Sequence, residues 1–141
     1  MLLDDHLLLK ELIVGLPAVH PTHRVHTTTY WYYRACRAGA LGSNGKLSSA
    51  FGAVPPDRQL RALSALLRLR EDIGLPDPRS VVPSMVELAE RHPRLNLLNL
   101  EAAAAARELG ATVWLSEPAA SGILPSVLDA ERVDWKVVAL V

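Results

Sequence analysis

Residues 96–118, NLLNLEAAAAARELGATVWLSEP, decide the fold. Ala102 to Ala106 are strong helix formers, Asn96 is a candidate N-cap and Gly110 a stop, so the spacing predicts a helix between them. Thr112-Val113-Trp114-Leu115 is short and apolar, which suits a strand covered on both faces. Ser116-Glu117-Pro118 breaks it and leaves one carboxylate at the carboxyl end of that strand. A helical stretch and then VDWKVVALV, residues 133–141, complete the chain. Helix, strand, acidic turn, helix and strand is the order of a parallel sheet whose strands end in a shared crevice.

The amino end supplies the matching half. Met1-Leu2-Leu3 is a short apolar lead into Asp4-Asp5-His6, followed by Leu7 to Leu12 and a stop at Gly15, so strand, acidic turn and helix recur. With the first strand beside the Val113 strand, Asp4 and Glu117 converge at one sheet edge. Two carboxylates in one crevice suit a hard divalent cation. Asp4 and Asp5 fit the plainer role of helix caps equally well.

Taken together, LLDDHLLLKEL (2–12) and LNLLNLEAAAAARELGATVWLSEP (95–118) resemble a PIN domain, the fold of the VapC-type toxin ribonucleases. The resemblance implies an α/β fold, a single PIN-like domain over residues 1–141 with a short central parallel sheet flanked by helices. It also implies a metal-dependent endoribonuclease using Mg²⁺ or Mn²⁺, an antitoxin protein as partner, RNA as substrate and a homodimer. In that family an Asp closes the first strand, a Glu sits on an early helix, an Asp opens the late helix that ends in Leu-Gly-Ala, and an acid follows the next strand. Asp4 and Glu117 match the first and last of these and become the implied metal ligands. Asn99 stands at the late-helix Asp and completes the implied catalytic set of Asp4, Asn99 and Glu117. The early Glu falls near Tyr32 or Tyr33, and there is no Asp or Glu from Leu12 to Pro56.

Glu101 does not replace the missing Asp, because two residues along a helix turn a side chain by about 200°. Oppositely charged groups about 4 Å apart attract by roughly 4 kcal/mol at an effective dielectric near 20, and a dication doubles that. Losing two carboxylates also removes their mutual repulsion, so part of the loss is returned. Asn99 still offers a carbonyl oxygen, but neither charge nor help in activating a metal-bound water. The expectation is therefore a PIN-like protein whose catalytic site is weakened or lost, or alternatively a non-catalytic PIN-like module that binds protein or RNA and dimerises.

Composition fits one compact domain. At 141 residues and 50% hydrophobic, the chain can bury one core without staples. The lone Cys36 excludes a disulfide framework and suits a reducing compartment. Acids at positions 4 and 5 do not fit a signal peptide, and no apolar run reaches the roughly 20 residues of a membrane helix, so the expected location is the cytoplasm, away from membranes. A net charge of zero argues against avid nucleic-acid binding. The acid-free stretch nevertheless carries Arg24, Arg34, Arg37 and Lys46; Arg34 and Arg37 are the candidate RNA contacts there, since Arg forks suit phosphate.

The middle predicts helices from Asp57, as cap, to about Ile73, with Leu60, Leu63, Leu66 and Leu67 inside, and from about Pro83 to His92. Gly39 to Gly45 reads as a break. Gly42 to Lys46 reads as a turn, since the residue after Lys46 is Leu47 where a phosphate loop has Ser or Thr. His20, His23 and His26 lack a nearby fourth ligand for zinc.

Overall fold

The computed structural model describes residues 1–41 and 55–140. In chain order these form β1 (Leu2–Leu3), α1 (Asp5–Ile13), β2 (Val25–His26), α2 (Thr29–Leu41), α3 (Pro56–Leu67), β3 (Ile73–Gly74), α4 (Pro78–Arg91), α5 (Leu97–Leu109), β4 (Val113–Leu115), α6 (Glu117–Ala120), α7 (Leu124–Ala130) and β5 (Trp135–Val137). All strand pairs are parallel, in the order β3-β2-β1-β4-β5. Leu2 registers with Val113 and Leu3 with Trp114, so the first and fourth strands are neighbours, as expected. The strand order reverses between them, and in an open parallel sheet that reversal leaves a crevice beyond the carboxyl ends.

Period-2 alternation distributes the strand side chains over two cores. Leu2, Val113 and Leu115 point to one face, where α4, α5 and α7 cover them with Val81, Leu88, the run Ala102 to Ala106, Val127 and Leu128. Leu3 and Trp114 point to the other, beneath α1, α2 and α3, with Leu7, Leu8, Ala35, Ala62 and Leu66. The five successive alanines of α5 are all buried, which explains a stretch that lacks amphipathic contrast. Its ends are set as the sequence predicts. Asn96 Oδ1 accepts the Asn99 amide at 2.9 Å, and Gly110 takes the left-handed conformation at φ 59°.

Four expectations for the middle change. The helix opening near Asp57 begins at Pro56 without a side-chain cap and ends at Leu67, while Ile73 belongs to β3. Leu60 is 78% exposed and Leu67 is exposed too, because the buried face of α3 is centred on Ala62 and Leu66, four residues apart, and Leu60 lies about 200° from Ala62. The next helix starts at Pro78, capped by Asp77, and carries Pro83 in its interior. Gly39 is helical, within α2. The Gly42 to Lys46 reading lies outside the described residues. No helix among the described residues is long and apolar enough to cross a membrane.

Candidate functional site

The reversal point is built around Asp4. Its backbone continues β1, with its amide donating to Trp114 O at 3.3 Å, and its side chain opens α1 by accepting the Leu7 amide on Oδ1 at 2.9 Å. Oδ2 accepts both the Ser116 amide at 2.8 Å and the Ser116 hydroxyl at 2.6 Å. Asp4 is fully buried. Burial pushes its carboxyl above the usual Asp range, and the hydrogen bonds from Ser116 and Leu7 pull against that. The capping reading is thus what the geometry shows for Asp4, together with a clasp between the ends of β1 and β4.

Asp5 follows on the first turn of α1, and its Oδ1 accepts the His6 amide at 2.9 Å and lies 3.0 Å from His6 Nδ1. Its Oδ2 accepts no hydrogen bond, but Arg34 Nε stands 3.2 Å away. The Asp5 side chain is 3% exposed and that of Arg34 51%. His6 Nε2 is also buried without a hydrogen-bond partner. One ligand atom from each of Asp4, Asp5 and His6 falls within 4.8 Å of the others.

A cleft of about 220 Å³ opens here, walled by Asp5, His6, Trp31, Arg34, Asn96 and Asn99, with Pro118, Ala119 and Gly122 to Leu124 of the α6–α7 region closing it. Helix α2 reaches it through Trp31 and Arg34. Thr28 Oγ1 accepts the Trp31 amide at 3.1 Å and so fixes the first turn, and Arg34 follows three residues later on the same face. Tyr32 and Tyr33 point elsewhere: the Tyr32 hydroxyl donates to Leu66 O at 2.6 Å and Tyr33 is exposed. Glu101 is buried and is not among the cleft walls, accepting the Thr29 amide at 3.2 Å and the Tyr30 amide at 2.8 Å at the start of α2.

Of the residues singled out from sequence, Asn99 and Arg34 line the cleft and Asp4 lies behind it. Glu117 is exposed at the start of α6 and is not among the cleft walls, and Arg37 is exposed on α2. Asp5, His6, Trp31 and Ser116 were not singled out as site residues. The adjacency of Asp4, Asp5 and His6 was the available signal; the Ser116 clasp and the Arg34 ion pair join residues far apart in the chain.

With Arg34 in place on Asp5, these donors do not fit Mg²⁺ or Mn²⁺. Three of the roughly four lone-pair positions of the Asp4 carboxylate are taken by protein donors. Asp5 is committed to His6 and Arg34. Asn99 is uncharged, and a hard cation prefers oxygen to the nitrogen of His6. The cleft pairs one carboxylate with one guanidinium among neutral amides, an arrangement suited to binding rather than to concentrating positive charge.

No family model matches the chain, and no curated protein does. Among solved structures, a chain in the structure of VapBC-1 from nontypeable Haemophilus influenzae matches 96% of this chain and 96% of its own length. The TM-score is 0.54 at 13% sequence identity. The two share a fold. That likeness supports the α/β, PIN-like arrangement of a parallel sheet between helices and extends over nearly the whole chain; at this identity it says nothing about the cleft.

Proposed function

We propose that this chain is a PIN-like domain, related to the metal-dependent toxin-type endoribonucleases, whose catalytic site is weakened or lost. The observation that carries this reading is the ion pair of Asp5 with Arg34 inside the cleft, beside an Asp4 whose carboxylate already accepts three hydrogen bonds. In a catalytic form Asp4, Asn99 and Glu117 would be the acting residues, with Asp4 and Glu117 as ligands to Mg²⁺ or Mn²⁺. The exposure of Glu117 and the neutral Asn99 favour the second form, a non-catalytic module contacting protein or RNA.

The test is RNA cleavage by the folded protein in Mg²⁺ and Mn²⁺. The reading expects no cleavage, or only feeble cleavage, sensitive to EDTA. Robust EDTA-sensitive cleavage that disappears in Asp4→Ala would overturn it.

The partners of this reading are an antitoxin-type protein, RNA through Arg34 and Arg37, and a second copy of the chain, in the cytoplasm. Support for the copy comes from α4, where Val82 and Val86 are exposed one turn apart between exposed Arg79 and Glu90. Antiparallel pairing of this helix with its twin would oppose Arg79 of one chain to Glu90 of the other around the valines. A monomer by sedimentation at about tens of micromolar, a range where an interface of ordinary affinity is filled, contradicts the dimer.

A further inference from the structure

The charge of Asp5 is balanced from within the chain. A carboxylate this buried is costly unless something neutralises it, and the cation facing Oδ2 is Arg34, carried one helical turn beyond the buried Trp31. The contact is a meeting of charges rather than a fork, since Nε lies within 3.2 Å while Oδ2 accepts no aligned hydrogen bond. Half of the Arg34 side chain is in solvent, so its head can leave without disturbing α2. What it would leave behind is Asp5 Oδ2 facing the cleft, with Asp4, His6 and Asn99 close by.

We infer that Arg34 is a built-in counter-ion, holding beside Asp5 the place a divalent cation would otherwise take, and that among the groups that disfavour a metal in this cleft it is the one whose removal opens Asp5 to Mg²⁺ and Mn²⁺. The inference rests on the PIN-like reading above and deepens it by naming the residue that silences the site. A guanidinium and a dication compete for one carboxylate because both must sit within about 4 Å of it, where they repel each other strongly. Removing the guanidinium therefore exchanges an internal cation for an external one. Lys at the same position keeps the charge and the exclusion.

The experiment is the melting temperature against MnCl₂ concentration, for the wild type, Arg34→Gln, Arg34→Lys and the double variant Arg34→Gln/Asp5→Asn. The wild type, the Lys variant and the double variant are expected to be indifferent to Mn²⁺. Arg34→Gln should melt lower without metal and rise by roughly 5 °C or more once Mn²⁺ reaches about 100 times its Kd. Should Arg34→Gln be unfolded in buffer, Mn²⁺ is expected to refold it, and failure of that rescue overturns the inference. A folded Arg34→Gln that ignores Mn²⁺ overturns it as well, as does a Lys variant that responds equally. These outcomes are separate from RNA cleavage by the wild type, which bears on the proposed function alone.

Discussion

Asp4 and Ser116, 112 residues apart, meet at the ends of neighbouring strands, where one carboxylate oxygen accepts both the amide and the hydroxyl of the serine. The first prediction concerns that clasp. Ser116→Ala removes the shorter of the two bonds from a fully buried carboxylate and should cost about 1–3 kcal/mol in urea denaturation. The cost should depend on pH. Asp4 binds its proton more tightly folded than unfolded, so its contribution to stability is greatest below the ordinary Asp value of 3.8 and is lost as pH rises through the higher folded value. Removing the hydroxyl raises the folded value further, so the deficit of Ser116→Ala should be larger at pH 7 than at pH 4. An equal deficit at both would mean that the hydroxyl does not support the ionised form.

Much of the frame was legible in the sequence because it is local. The Ala102 to Ala106 run between a capping Asn96 and a left-handed Gly110 specifies α5 without reference to the rest of the chain, and Thr112 to Leu115 can be little but a buried strand. The pairing of β1 with β4 followed from matching strand, acid and helix at both ends. What could not be read is short or remote. Each of β2 and β3 is two residues long, and Val25-His26 sits among histidines and threonines that give no alternation to detect. Arg34 was visible as a cation without an opposing acid nearby, while its partner Asp5 lies 29 positions away, across the cleft, on a helix that reads as capped by acids. Glu101 was excluded from the site by helical rotation, yet nothing local shows that it serves the first turn of α2.

The second prediction concerns Glu101. Its two carboxylate oxygens satisfy two of the amides that a helix leaves unpaired at its start, and the negative charge suits that end of the helix dipole. Glu101→Ala should cost about 1–3 kcal/mol, and Glu101→Gln, which keeps one acceptor, less than half of that. Equal losses in chemical denaturation would show that packing, rather than capping, is what the side chain provides.

The third prediction concerns the edge of the sheet. Gly74 registers with His26, and a Cβ at position 74 would collide with the His26 ring. Gly74→Ala should destabilise by about 1–3 kcal/mol through forced displacement of the ring. In His26→Ala/Gly74→Ala much of that penalty should vanish, giving a favourable coupling in a double-mutant cycle. Strict additivity would place the cost in the backbone rather than in the contact.

The central claim, a PIN-like scaffold whose cleft is not a metal-dependent catalytic centre, is tested most directly by titrating Mn²⁺ into the wild-type protein and following the free ion by electron paramagnetic resonance. The account predicts a free-ion signal that grows as it does in buffer, with no site tighter than about 1 mM. A single stoichiometric site of micromolar affinity, present in the wild type and absent in Asp4→Ala, would contradict it.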